Sequence, residues 1–356
     1  MRILVLTGKF GMGHISAAEA VKEELEKGRD DVTTDVVDLV EYLFPAWSKL
    51  IYSGFDLIAG KFNKLYNALN CVDGRSASMP LKAWFIERFQ CLMDEHRPDI
   101  LVSTWPVGSR YIGAYKKNTG NEIPYITCIT DISSHSEWIS DSTNAYIAGD
   151  EISKSELSSK GVPAERIFVG GVPVRQAFKH GGKEKYGSAS EILIMGGGLG
   201  LIPGIEDILE QLEKIEGLHT TVITGLNENM REALTGKYLN TTILGYTDNV
   251  AAFMKNADLI ITKAGGITLF ESIYTETPML VIDPFMEQEK NNAAYIERHG
   301  IGKVMRRKND DLAATLREIL GQNGELEKMV RNMRAIKYKI EENNIRHVIE
   351  KIRISA

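Results

Sequence analysis

Short apolar runs recur along the first half of the chain: ILVLT (3–7), VTTDVVDL (32–39), DILVST (99–104), YITCIT (125–130), NAYIAG (144–149) and RIFVGG (166–171). Between them lie stretches with apolar or small residues at helical spacing, as in 15–25. Strand alternating with helix predicts a parallel sheet with helices on its faces. A piece rich in glycine, serine and charge, KHGGKEKYGSAS (179–190), breaks the rhythm and reads as a linker. The alternation then restarts with EILIMGGG (191–198), TTVITG (220–225), TTILGY (241–246), DLIIT (258–262) and MLVID (279–283). The pattern predicts an α/β chain of two doubly wound, Rossmann-like domains, at 1–178 and 191–330. Residues 331–356 should end the chain as a helix crossing back to the first domain. Ligands of such sheets lie beyond the carboxyl ends of the strands, so the expected site is a cleft where the two domains face each other.

One segment departs from the alternation. EYLFPAWSKLIYSGFDLIAGKFNKLYNALN (41–70) mixes aromatic and aliphatic residues with Lys49, Lys61 and Lys64. It is too polar to span a bilayer. Either it packs its aromatics on the sheet, or it lies in an anionic membrane surface with its lysines among the headgroups.

Composition narrows the function classes. At 356 residues, with 43% hydrophobic and 25% charged residues and a formal net charge of -6, the chain reads as soluble, two-domain and without a global nucleic-acid footprint. Cys71, Cys91 and Cys128 are scattered and odd in number, which points to a reducing compartment and away from a structural metal site. With a core strand at residues 1–7 and no run of 18 apolar residues, the expected location is the cytoplasm.

Candidate chemistry clusters at strand-to-helix turns. GKFGMGH (8–14) places Gly11, Gly13 and His14 where a helix begins. Glycine there tolerates positive φ or close approach by a ligand, and the helix start offers unpaired N–H groups. A dinucleotide fingerprint would need glycine where Ser16 stands, with Asp35 or Asp38 for the ribose. MGGGLG (195–200) supplies Gly196, Gly197, Gly198 and Gly200 before a helix expected near Pro203. In TKAGGITLFES (262–272), Gly265 and Gly266 open a helix that carries Thr268 and Glu271 three residues apart, suiting a diphosphate and a ribose. PFMEQEKNNA (284–293) adds Gln288 and Glu289 for sugar hydroxyls and Asn292 to brace the turn. Tyr246, in GYTDNV, is placed to meet a base ring.

These motifs, in this order and over nearly the whole chain, carry a resemblance. The C-terminal half resembles the nucleotide-sugar-binding domain of GT-B glycosyltransferases related to the peptidoglycan N-acetylglucosaminyltransferase. The N-terminal half resembles monogalactosyldiacylglycerol synthase and the bacterial diacylglycerol glucosyltransferases. It rests on GxGH with its helix (11–20), TDISSHSEW (130–138), GVPVRQAF (171–178), GGGLG, and KAGGITLFES followed by EQEKNNA.

The resemblance implies an inverting hexosyl transfer from a UDP-sugar to a lipid, diacylglycerol above all, without a metal ion or other cofactor, at the cytoplasmic membrane face. The GGGLG glycines, Gly225 and the amides at Gly265, Gly266 and Thr268 would hold the diphosphate. Glu271 would bind ribose, Gln288 and Glu289 the hexose, and Tyr246 the base. Gly11, Gly13 and His14 would meet the acceptor and the donor phosphates, and Asp131 is the family's base position. His135 comes within reach of Asp131 if the intervening turn is helical. Helix starts at Gly198 and Gly266 would offset the charge of departing UDP, and the helix start at His14 should hold its pKa down. Ala264, where relatives often have proline, and Lys290, where many have an acid, depart from the pattern. The Lys290 change leaves the donor sugar open. A soluble acceptor, a UDP-sugar 2-epimerase and a non-catalytic nucleotide-sugar-binding module remain as alternatives.

Overall fold

Ile3 and Val5 pack on one side of the first strand and Leu4 and Leu6 on the other, and all four are buried. A strand dry on both faces belongs inside a parallel sheet covered by helices. The computed structural model describes residues 1–10, 12–61, 82–179, 190–306, 310–321, 324–341 and 344–354. It divides into two units, Met1–Gln176 with Lys339–Ala356, and Ala177–Tyr338.

In the first unit the strands are β1 (Arg2–Thr7), β2 (Thr33–Asp38), β3 (Ile100–Ser103), β4 (Tyr125–Cys128), β5 (Ala145–Ala148) and β6 (Ile167–Val169). They form one parallel sheet in the order β2-β1-β3-β4-β5-β6. On one face Ile3, Val5, Val102 and Ile147 meet Val21 and Leu25 of the helix Gly13–Glu26 and Val348 and Ile349 of the final helix, Ile345–Ile354. On the other, Leu4, Leu6, Leu101 and Tyr125 meet Phe85, Phe89, Ile112 and Tyr115 from the helices Lys82–His96 and Pro106–Thr119.

The second unit repeats the plan with β7 (Glu191–Met195), β8 (His219–Ile223), β9 (Thr241–Leu244), β10 (Leu259–Thr262), β11 (Met279–Ile282) and β12 (Gly302–Met305). Its order is β12-β11-β10-β7-β8-β9, again parallel. Each sheet therefore has a point where successive strands depart to opposite sides, between β1 and β3 in the first unit and between β7 and β10 in the second. Crevices at such points are where doubly wound folds bind ligands.

Two sequence expectations change. β12 went unread, because GKVM is short and its lysine interrupts the apolar run. The helix expected near Pro203 begins at Ile205, behind Gly204 with φ 65°. Of the expected linker 179–190, residues 180–189 lie outside the described residues. The segment 41–70 is described only to Lys61, as the helix Ser48–Lys61, so Lys64 and the Lys61 side chain lie outside as well. Among the described residues no helix is long and apolar enough to cross a membrane.

All four tryptophans, Trp47, Trp84, Trp105 and Trp138, lie in the first unit, so their fluorescence reports its unfolding alone. Ile349→Ala, which empties a buried site, should lower the stability read by tryptophan fluorescence in urea by about 2–4 kcal/mol.

Candidate active site

His14 stands in the first turn of the helix that follows β1, at the first sheet's switch point. Its Nδ1 lies 2.8 Å from the carbonyl oxygen of Thr104, just past the end of neighbouring β3. A carbonyl only accepts, so Nδ1 carries the proton and Nε2 the lone pair. Thr130 Oγ1, beyond β4, lies 3.1 Å from the same nitrogen. The Thr104 hydroxyl donates back to the His14 carbonyl at 2.9 Å, and Trp138 sets its ring edgewise 6.3 Å away. Burial pushes the His14 pKa down from 6.5 to about 4, against the opposing pull of the Thr104 carbonyl. The direction agrees with the sequence expectation, but desolvation is the leading cause rather than the helix start.

Asp131 follows Thr130 directly, in a bend three residues past the end of β4, and is half-buried. His135 caps a short 3-10 turn, Ser136–Trp138, accepting from the Glu137 amide at 3.4 Å. The helical turn that would have stacked His135 on Asp131 does not form. Thr104 and Thr130 escaped the sequence analysis. Their signal was only a threonine just beyond a strand end, the commonest of residues to ignore. Gly13 begins the helix without a positive φ, and Gly11 lies outside the described residues. Asp35 pairs with His96 and Asp38 caps the helix Leu39–Leu43, so both carboxylates serve the fold.

In the second unit Met195 pairs with Thr262, so the loops after β7 and β10 start side by side. Glycine is demanded in the first of them largely by backbone crowding. Gly200 has φ 61°, and a Cβ there would come within 1.8 Å of the Thr224 carbonyl; at Gly225 it would come within 2.5 Å of the Gly198 carbonyl. Leu226 N–H donates to that same Gly198 carbonyl at 2.9 Å, locking the two loops together. Gly197, at φ 71°, has open space on its Cβ side. Because the next helix starts at Ile205, Gly198 is not a helix start, which corrects the expected source of positive charge there.

Gly266 is a helix start. Gly265 precedes the helix Gly266–Thr275 with no side-chain cap, as Met12 precedes Gly13–Glu26, whereas Asp38, Asp150, Asn227 and Asp311 cap theirs. The first-turn amides, with the half-buried Thr268, are thus open to an anion. Glu271 is buried one turn further on. Asn292, fully buried, donates to the Ala264 carbonyl at 2.8 Å and so braces the KAGG turn rather than its own.

Glu289 Oε2 accepts from the Phe285 and Met286 amides at 3.2 and 3.4 Å, and its Oε1 lies 3.5 Å from Lys263 Nζ. This buried carboxylate holds the helix start of 287–299, a role different from the expected hexose contact. Gln288 is half-buried, and among the described residues its amide hydrogen-bonds a sulfur, Met286 Sδ, at 3.8 Å. Tyr246 is 57% exposed, with its hydroxyl on Asp248 at 2.9 Å.

Two family models divide the chain between them: monogalactosyldiacylglycerol (MGDG) synthase over residues 14–174 and the glycosyltransferase family 28 C-terminal domain over residues 191–344. A processive diacylglycerol beta-glucosyltransferase of Bacillus subtilis (strain 168) is 26% identical over 364 residues, covering 94% of this chain and 90% of the relative. The chain belongs to the UDP-sugar-dependent GT-B glycosyltransferases. Among solved structures, this glycosyltransferase is similar to the glycotransferase of kitacinnamycin, with a TM-score of 0.64 at 13% identity over 99% of this chain and 98% of that one. It is also similar to the UDP-GlcNAc 2-epimerase of Neisseria meningitidis bound to UDP-GlcNAc, with a TM-score of 0.62 at 16% identity over 99% and 100%. At those identities the likeness is one of fold.

The His14 geometry sets a pH dependence for the enzyme. Above pH 6.5 the imidazole is neutral folded and unfolded alike; below it the unfolded chain takes up a proton that the folded one refuses until about pH 4. The first unit should therefore lose stability as pH falls from 6.5 to 4, and His14→Gln should lose less, measured by tryptophan fluorescence in urea. Asn292→Ala should cost about 1–3 kcal/mol by leaving the Ala264 carbonyl unpaired, and should weaken UDP binding measured by calorimetry.

Proposed function

We propose that the enzyme moves a hexose from a UDP-sugar to diacylglycerol, with inversion at the anomeric carbon, on the cytoplasmic face of the membrane. The observation that carries this reading is the neutral His14, its Nε2 lone pair fixed by the Thr104 carbonyl, in the unit that matches the MGDG synthase model. An inverting transfer needs a base for the acceptor hydroxyl and a stabilised leaving group. His14 Nε2 takes the hydroxyl proton, the acceptor oxygen bonds to the anomeric carbon, and the bond from that carbon to the UDP oxygen breaks. UDP leaves with the electron pair. The uncapped helix start at Gly266, with Thr268 and the open backbone at Gly197, receives its diphosphate. Glu271 holds the ribose, Tyr246 the base and Gln288 the sugar, while Asn292, Glu289, Gly196, Gly200 and Gly225 keep those loops in shape. Inversion converts the α-linkage of the donor to a β-linkage, the stereochemistry in the name of the Bacillus subtilis relative.

Support for a lipid acceptor comes from the stretch that opens the helix Ser48–Lys61. Trp47 is 62% and Leu50 65% exposed, Ile51 is exposed too, and Lys49 is the one charged residue among 45–51. A bare tryptophan and two aliphatics with one lysine suit an anionic lipid interface.

The test is incubation with a panel of UDP-sugars and diacylglycerol vesicles, with products weighed by mass spectrometry. β-Hexosyl-diacylglycerol is expected; sugar interconversion without acceptor, or transfer to soluble alcohols only, would replace the reading. His14→Ala should lower kcat by about 10²–10⁴-fold with UDP affinity kept. If Asp131→Asn abolishes turnover and His14→Ala does not, the carboxylate is the base. Trp47→Ser with Leu50→Ser should release the enzyme from anionic vesicles in co-sedimentation.

A further inference from the structure

Tyr52 lies directly after the exposed stretch 45–51 and turns inward. Its hydroxyl donates to Asp38 Oδ1 at 2.5 Å and accepts the Lys9 backbone N–H at 3.2 Å. Asp38 Oδ1 also receives the amides of Val40 and Glu41, both at 3.0 Å, so the anchor is itself held by a helix start. Lys9 adds an ion pair, Nζ to Glu41 Oε2 at 2.6 Å. One phenol thus ties the turn after β1 to the end of β2.

From there, contacts run to His14. The Tyr52 ring meets Phe10 edge-on at 5.0 Å, and Phe10 stacks on Trp105 at 5.1 Å. Gly8 makes room for that stack, since a Cβ there would come within 3.2 Å of both rings. Trp105 is bonded in sequence to Thr104, whose carbonyl holds His14 Nδ1. Tyr52 therefore reaches the imidazole through the ring stack to Thr104. Burial and the Asp38 carboxylate together hold the phenol far above its ordinary ionisation, so it stays a donor throughout the working pH range.

We propose that Tyr52 is a positioning residue: it joins the lipid-facing stretch 45–51 to the turn that carries His14, and fixes the imidazole for proton transfer. The functional interpretation rests on the reading above, but the geometry of the strut does not. Misplacing a catalytic group by a fraction of its reach costs rate without costing donor affinity.

The test is Tyr52→Phe, which keeps the ring against Phe10 and removes both hydroxyl hydrogen bonds. Expected on diacylglycerol vesicles is a fall of about tenfold in kcat with the UDP-sugar KM unchanged and vesicle binding kept. Expected by NMR of the acceptor-free enzyme is that His14 titrates closer to 6.5 than in the wild type, because a loosened turn admits water. Tryptophan fluorescence checks that the first unit still folds. A His14 titration unmoved by the substitution overturns the proposal whatever happens to turnover, and an unchanged kcat beside an active wild type overturns it too. Should the wild type fail to glycosylate diacylglycerol, the functional reading falls, and the NMR titration decides the role of Tyr52 alone.

Discussion

The Thr104 carbonyl oxygen, 2.8 Å from Nδ1 of His14, orients the imidazole at the first unit's switch point. A carbonyl has no proton to give, so this one contact selects the tautomer, turns the ring and leaves the lone pair on Nε2. Desolvation then keeps the ring neutral well below the usual imidazole range. A histidine charged at neutral pH could not accept a proton from an alcohol; one free to rotate would seldom offer the right nitrogen. The contact supplies orientation and burial supplies the charge state, and base chemistry needs both.

That contact exists because of strand order. β1 lies between β2 and β3, so the turn after β1 and the residues after β3 emerge next to each other although about 90 positions separate them in sequence. The same arrangement recurs in the second unit, where β7 and β10 are neighbours and their loops start level at Met195 and Thr262. The two switch points have diverged in material. The first is furnished with side chains, an imidazole between two threonines. The second is furnished with backbone, glycine loops crowded so closely that Gly200 and Gly225 have no room for a Cβ.

Much of this was legible in the sequence, and the failures have physical causes. Period-two and continuous apolar runs located eleven of the described strands, because most of them bury apolar side chains on at least one face. GKVM was missed because it is only four residues long and its lysine interrupts the apolar run. His14 stood out from its glycine-rich turn, but Thr104 and Thr130 did not, since what makes them matter is a crossover that local pattern does not encode. The helix start assigned to Gly198 failed for a related reason. Four glycines in five positions announce a turn, but four further residues pass before the chain finds helical geometry at Ile205.

Glu289 shows that residue type alone does not reveal a side chain's structural task. An amide beside a carboxylate, Gln288 and Glu289, is chemically apt for sugar hydroxyls, yet the carboxylate is buried with one oxygen on two backbone amides and the other facing Lys263. A carboxylate has further acceptor sites beyond these, so any hydroxyl contact would add to the helix-start role rather than replace it. Among the described residues, the Gln288 amide is held less firmly, hydrogen-bonded to a thioether. Its amide can both donate and accept, so it can meet a hydroxyl in either role and follow the hydroxyl's direction. Glu289 and Gln288 are also linked through the backbone, since the Glu289 carboxylate holds the Phe285 and Met286 amides and so sets the turn from which Gln288 projects.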